Sequence, residues 1–216
     1  VPADQIIDAA RESFNIPKLD RWVTRQACKT AAQWTASGIA FESLSVNLCA
    51  ETLLDPTFHG WFSECLKEEN IDSKLIDFEI VESSFFTNID VAIKAIYKLR
   101  RLGVTFSLDD FGTGFSSLSY LRQLPIDKIK IDRSFIDGVE REPDSAAMCA
   151  SIVSVSHELG LRVIAEGIET ELQLVTLRAL RCDEVQGYFL SRPLPLTKAT
   201  QFLLEHQAMP KHIKAG

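Results

Sequence analysis

Six short β-prone runs, each set off by a stretch of helical periodicity, constrain this chain more than any other feature. The runs cover residues 43–48, 75–81, 105–110, 128–132, 161–165 and 184–190. Helical patterns occupy 2–14, 18–37, 88–102, 116–124, 143–160 and 170–180. A further helix opens at Asp55-Pro56 and runs through Phe58, Phe62 and Leu66, and a last one runs from Pro195 to about His206. Gly38, Gly103 and Gly160 stop three of these helices and Pro125 stops a fourth. No Pro-, Ser- or Gly-rich linker divides the chain, so residues 1–216 are expected to form a single domain. Regular alternation of strand and helix makes a parallel sheet with crossover helices, either doubly wound or closed as a (β/α) barrel.

Polar residues in or just after each run discriminate between these two sheets. Asn47, Glu79, Asp109, Lys130, Glu166 and Gln186 follow one another at intervals of 20–36 residues, each long enough for one crossover and the next strand. Parallel strands point the same way, so these groups gather at one face, where a barrel carries its active site. Burying them without partners would cost about 1–3 kcal/mol each, so they should serve each other or a ligand. An α/β fold of the (β/α) TIM-like barrel type is the expectation.

The densest stretch is Thr105–Leu118, which delivers Asp109 and Asp110 at a strand end, followed by Gly112 and Gly114. Side chains alternate along a strand, but at its fraying end two neighbouring Asp residues can face one site. Two such charges repel unless a cation lies between them, and the glycines let a loop pass close to whatever it holds. Taken singly, each feature has a plainer reading. Asp109-Asp110-Phe111-Gly112 also reads as a turn with a helix cap, Asn47 as a strand closure and Lys130 as a solvated strand residue. Glu166-Gly167 also reads as a turn, and Gln186 as a partner for a backbone group. Their common phase favours one site. Four carboxylates and an amide oxygen are hard ligands that suit Mg2+ or Mn2+ rather than zinc. A protonated Lys cannot coordinate metal, but it can hold a water or a phosphate oxygen. Two ions about 3.5–4 Å apart form the clamp used in phosphoester hydrolysis.

Composition removes other classes. The net charge of −7 argues against a general nucleic-acid surface and against direct DNA binding. No apolar run approaches the roughly 18 residues needed to span a bilayer. The five Cys residues (28, 49, 65, 149 and 182) are scattered and never spaced Cys-x-x-Cys, a reduced, cytosolic pattern. The expected location is therefore cytoplasmic, including the cytoplasmic part of a membrane-anchored protein. The dispersed His residues make a zinc site an unsuitable reading. Val91-Ala92-Ile93-Lys94 and Asp110-Phe111-Gly112 imitate kinase motifs, but that Lys lies on a helical pattern and no His-Arg-Asp loop intervenes.

Asp109-Asp110-Phe111-Gly112-Thr113-Gly114-Phe115-Ser116-Ser117 resembles the signature loop of the EAL family, the cyclic di-GMP phosphodiesterase domains. Ser45-Val46-Asn47-Leu48, Glu79-Ile80-Val81-Glu82-Ser83, Lys130-Ile131-Asp132-Arg133-Ser134-Phe135, Ala165-Glu166-Gly167-Ile168-Glu169 and Gln186-Gly187-Tyr188 match its other blocks in order. The resemblance implies two metal ions per site, Mg2+ or Mn2+. Asn47, Glu79 and Asp109 would bind the first, Asp109 would bridge, and Asp110 and Glu166 would serve the second directly or through water. Lys130 and Gln186 would hold the attacking water, and Glu82 would tether the loop from Asp110 to Ser117. That loop and the following helix would form homodimer contacts. The implied reaction is in-line attack on one phosphodiester of cyclic di-GMP, giving linear pGpG. Arg192 and Pro193, after the last run, are candidates for the base pocket. A sensor or diguanylate-cyclase-like domain in the same chain is a further implication.

One departure stands out. The family's early Glu-x-Leu-x-Arg strand, whose Glu binds metal and whose Arg contacts substrate, does not occur, and Val1-Pro2-Ala3-Asp4 matches the segment shortly after it. The barrel is expected to lack its first strand, and the first metal one carboxylate. The rival reading is therefore a receptor or protein-interaction module that binds cyclic di-GMP without turnover. Residues 1–216 alone should hydrolyse cyclic di-GMP poorly compared with the longest natural chain; equal turnover numbers in a side-by-side assay would overturn this.

Overall fold

In the computed structural model, which describes residues 3–13, 15–81, 89–112 and 121–208, all six runs form strands. They are β1 (Leu44–Asn47), β2 (Ile76–Val81), β3 (Thr105–Phe111), β4 (Lys128–Ile131), β5 (Arg162–Ala165) and β6 (Glu184–Val185). Each pairs in parallel with the next, in the spatial order β1-β2-β3-β4-β5-β6. A doubly wound sheet reverses its order at a switch point, whereas strictly sequential order is that of a barrel wall. The sheet is the curled wall of a TIM-like (β/α) barrel.

The described α-helices are α1 (Ala3–Glu12), α2 (Ile16–Ala36), α3 (Ala50–Leu53), α4 (Phe58–Glu69), α5 (Ile89–Arg100), α6 (Arg133–Ile136), α7 (Pro143–Glu158), α8 (Glu171–Ala179) and α9 (Leu196–Ala208), of which α3 to α8 lie in the connections between strands. In α2, Ile16, Asp20, Thr24, Cys28, Ala31 and Trp34 are buried at spacings of three and four, the stripe a helix turns toward a sheet. Trp22, which the sequence pattern groups with the apolar positions, lies off that stripe and is 62 % exposed. In α5 the buried stripe is Ala92, Ile96 and Leu99, so Val91 faces outward. Thr170 and Gln173 close a capping box at the start of α8. Helix α4 starts at Phe58 rather than at Pro56, because the Thr57 N–H donates to the Asp55 carboxylate at 2.8 Å and the intervening turn is used up. The expected helix 116–124 lies mostly outside the described residues.

Alternation along the strands sorts side chains between two environments. Ile76, Phe78, Ile80, Phe106, Leu108 and Ile129 join helix residues in one apolar cluster, and Ile131, Val163 and Ala165 join a second. The residues between them are polar yet buried: Asp77, Glu79, Ser107, Lys128 and Lys130. Strands β2 and β4 are thus covered on both faces, one apolar and one charged. Beneath the site residues, the Asp77 carboxylate accepts from Thr105 Oγ1 and Ser107 Oγ, each at 2.6 Å. Hydroxyls satisfy this fully buried acid, which forms a polar floor across β2 and β3.

Strand β6 ends much earlier than the pattern 184–190 suggests. After Val185 the chain turns, with Leu190 and Ser191 N–H donating to Gly187 O and Phe189 N–H donating to Ile168 O. The apolar run Tyr188–Leu190 is therefore a turn, and its side chains are exposed.

Aromatic packing anchors the β2–β3 wall. The Phe78 ring lies 5.2 Å from Phe62, 5.6 Å from Phe106 and 6.0 Å from Phe58. Replacing Phe78 with Ala should cost about 3–5 kcal/mol. Urea denaturation would read this as a lower midpoint, and a loss below about 1 kcal/mol would contradict this packing.

Candidate functional site

The site begins with an irregularity in β3. Leu108 pairs with Ile129 and Phe111 with Ile131, so three steps on β3 span two on β4. One residue is extra, and Asp110 takes it up with a left-handed φ of 54°. Such a bulge re-aims a side chain that strict alternation would send to the other face. Asp109 and Asp110 consequently reach the same side, and the Asp110 N–H donates to Asp109 Oδ1 at 3.1 Å. The two carboxylates converge through a bulge inside the strand, not through fraying at its end. Gly112 (φ 100°) follows, and a Cβ there would sit 2.7 Å from the Phe135 ring, so the backbone at Gly112 itself passes close to α6.

Glu166 comes to the same place from the end of β5, where its N–H donates to Ile131 O at 3.1 Å. One oxygen each of Asp109, Asp110 and Glu166 lie within 4.8 Å of one another. Lys130 rises between them from β4. Its Nζ is 2.7 Å from Glu166 Oε1, 2.9 Å from Glu79 Oε2 and 3.1 Å from Asp109 Oδ1. Five of the sequence-selected residues, Glu79, Asp109, Asp110, Lys130 and Glu166, therefore form one cluster.

Electrostatics within the cluster are strongly mutual. Burial by itself would lower the Lys130 pKa, but Glu79, Asp109 and Glu166 together hold it above the ordinary lysine range. Burial raises the Glu166 pKa, against the hydrogen bond from Lys130. Burial raises that of Asp110 as well, helped by the negative charges of Asp109 and Asp132. Four acidic groups face one ammonium. Surplus negative charge on convergent hard oxygens is the donor chemistry of Mg2+ or Mn2+, so the residues present fit such ions.

The remaining selected residues sit around this centre. Asn47 pairs in register with Glu79 at the outer strand β1 and is exposed. Gln186 is also exposed; its N–H donates to Ala165 O at 2.8 Å, and it lies beside Glu166. Glu82 lies outside the described residues. Arg192 places its guanidinium 4.6 Å from the Tyr188 ring centroid. Neither Arg192 nor Pro193 is among the residues lining the cleft beside Glu166.

That cleft encloses about 250 Å³ between Arg133, Glu166, Gly167, Glu169, Gln186, Gly187 and Tyr188. Arg133, Glu169 and Tyr188 were not singled out from the sequence, although all three stand in the blocks that carry the family resemblance. Each lies three residues or fewer from a selected residue on a turn or short helix, where strand phase says nothing of direction. Gly187 is forced by packing: a Cβ there would lie 2.2 Å from Ile168 O. Gly187→Ala should displace the turn after β6, at a cost of about 1–3 kcal/mol. Calorimetry should show a lower Tm, and ligand binding at the cleft should weaken beyond the loss of folded protein; unchanged binding and melting would contradict this contact.

Comparison with known proteins agrees with the geometry. The family model described as EAL domain matches residues 1–193. The chain is 38 % identical over 200 residues to the cyclic di-GMP phosphodiesterase NbdA of Pseudomonas aeruginosa, covering 93 % of this chain and 26 % of that protein. Among solved structures, a complex of the PaMucR phosphodiesterase with c-di-GMP superposes with a TM-score of 0.86 at 33 % identity, covering 92 % of this chain and 81 % of that one. The manganese and cyclic-diGMP complex of Klebsiella pneumoniae BlrP1 superposes with a TM-score of 0.75 at 30 % identity, covering 82 % and 45 %. The chain spans about a quarter of the length of the curated relatives it matches.

Proposed function

The chain belongs to the EAL domain family, and from that premise we propose that it hydrolyses cyclic di-GMP to linear pGpG in a metal-dependent reaction. The observation that carries this reading is the convergence of Asp109, Asp110 and Glu166 oxygens within 4.8 Å beside the ion-paired Lys130. Asp109, Asp110 and Glu166, with Glu79 and Asn47, would hold two Mg2+ or Mn2+ ions. Bound there, such ions supply Lewis acidity, which makes water a nucleophile near neutral pH and offsets charge on the phosphoryl oxygens.

The chain's own groups supply orientation. Lys130, held charged by three carboxylates, would give a donor to a water or to a non-bridging phosphate oxygen where one of those carboxylates turns to a metal ion. Gln186, at the opening beside Glu166, offers an amide that both donates and accepts. Asp109 stands at the junction of the cluster, in contact with Lys130 and close to Asp110, which suits a shared ligand. The polar floor of Asp77, Thr105 and Ser107 fixes the β2–β3 pair beneath Glu79 and Asp109.

Relatives named as cyclic di-GMP phosphodiesterases, and structural neighbours solved with that nucleotide, support the substrate. The relatives' greater length supports a sensor or diguanylate-cyclase-like partner domain. Homodimer contacts through the loop after Asp110 are part of the proposal, and residues 113–120 lie outside the described residues. No helix among the described residues is long and apolar enough to cross a membrane.

The test is conversion of cyclic di-GMP by the longest natural chain, with product resolved by chromatography. Turnover should require Mg2+ or Mn2+, stop with chelator and return when metal is restored. Asp109→Asn should lower kcat by about 100-fold or more, a loss of about 2.7 kcal/mol in transition-state stabilisation. Tight binding without product would instead establish the receptor reading.

A further inference from the structure

We propose that Asp20, a buried carboxylate of α2, is a positioning residue for metal binding: it holds the turn after β1 so that Asn47 presents its side chain to the first ion. The inference rests on the metal-dependent reading of the site. Asp20 is 6 % exposed and stands in the buried stripe that α2 turns toward β1 and α3. A carboxylate in such a place is tolerated only where donors reach it.

Its donors come from the turn and short helix that follow Asn47. The Cys49 N–H donates to Asp20 Oδ2 at 3.0 Å, and Thr52 Oγ1 donates to the same oxygen at 2.5 Å. Thr52 is fully buried, so its hydroxyl is committed to this contact. The Cys49 thiol is a third donor to the carboxylate. Burial, with the Asp20 charge next, pushes that thiol up to about 11, which keeps its proton on sulfur. Burial likewise raises the Asp20 pKa, against the hydrogen bonds from Thr52 and Cys49. Cys49 is the N-cap of α3 and caps nothing with its own side chain. A carboxylate from α2 thus does for this turn what a local cap would do.

Asn47 is thereby bracketed. Leu48 N–H donates to Glu79 O at 2.8 Å, which carries the β1–β2 pairing one step past Asn47, and the next N–H, that of Cys49, is held by Asp20. Strand β1 is the outer strand and Asn47 is exposed there, so its direction depends on how the chain is held as it leaves the sheet. A ligand already held in place binds an ion better than one that must be ordered on binding. Asp20 spends its side chain on Cys49 and Thr52, so it acts through the backbone of the turn. Arg21, its neighbour, ties α2 to Asp55 and Thr57 at 2.8 and 2.6 Å. That second tie lies beyond α3, away from Asn47, and serves as an internal control.

The experiment titrates the metal-free, full-length protein with Mn2+ alone and reads the free ion by its EPR signal. Asp20→Ala should weaken the binding of one ion about tenfold, the scale on which ligand-orienting partners act. Asp20→Asn keeps an acceptor oxygen for Cys49 and Thr52 and should stay within about threefold of the wild type. In an Asn47→Ala background, Asp20→Ala should add less than about twofold, because a residue that acts through Asn47 then has nothing left to position. Arg21→Ala should change neither ion by more than about twofold. Where Asp20→Ala melts too low to titrate, Thr52→Val removes one donor with similar shape. It should weaken the same ion about threefold, and again not in the Asn47→Ala background. Unchanged Mn2+ binding, or equal losses in the two backgrounds, would overturn the positioning role while leaving the metal-dependent reading intact. No Mn2+ binding by the wild type would overturn both.

Discussion

Lys130 is 3 % exposed, and its ammonium touches carboxylates carried by β2, β3 and the end of β5. The other features of the site depend on that arrangement. A lone buried ammonium costs several kcal/mol, and so does each lone buried carboxylate. Here each makes the others tolerable, and removing one member would leave the rest uncompensated at a cost of about 3–5 kcal/mol. The balance is deliberately incomplete, since the acids outnumber the lysine. That residual negative charge is what allows the same residues to serve both as a structural knot and as a site for divalent ions.

Sheet geometry makes the knot possible. In a parallel sheet with sequential order, residues distant in the chain arrive at one end with the same orientation. Glu79 and Lys130 reach the inner face by simple alternation, with Phe78, Ile80, Ile129 and Ile131 turned toward the helices. Asp110 does not obey alternation. It arrives through the bulge in β3, with a left-handed backbone that a non-glycine residue adopts only where the surroundings hold it. The inner face below stays polar, with Asp77 satisfied by hydroxyls rather than by a cation. The result is a charged shaft inside an apolar shell.

Much of this was legible beforehand. Asn47, Glu79, Asp109, Lys130, Glu166 and Gln186 are polar residues at apolar strand ends, a pattern that a solvent-exposed face would not need. The number and order of the strands were also legible, because the β-prone runs alternate with long helical patterns. Helix faces were less so. Trp22 and Val91 are apolar and plausible for a core, but the helix stripe is fixed by rotation against the sheet, which composition does not report. The run Tyr188–Leu190 looks like a strand because it is apolar and aromatic. It turns instead because Gly187 must press against the Ile168 backbone. Short helices such as α3 and α6 carry too few residues for a periodic signal.

By itself the sequence determined the order of strands and helices, the barrel class and the acidic, oxygen-rich character of the site. Those follow from local periodicity and from residue chemistry, which need no neighbours to be read. Only the tertiary structure decided that Asp109 and Asp110 share a side, that Lys130 is enclosed by three carboxylates, and that Arg133 and Glu169 frame a cleft. Each depends on a register shift, a turn direction or a backbone contact between segments far apart in the chain, and such contacts have no signature in either segment alone.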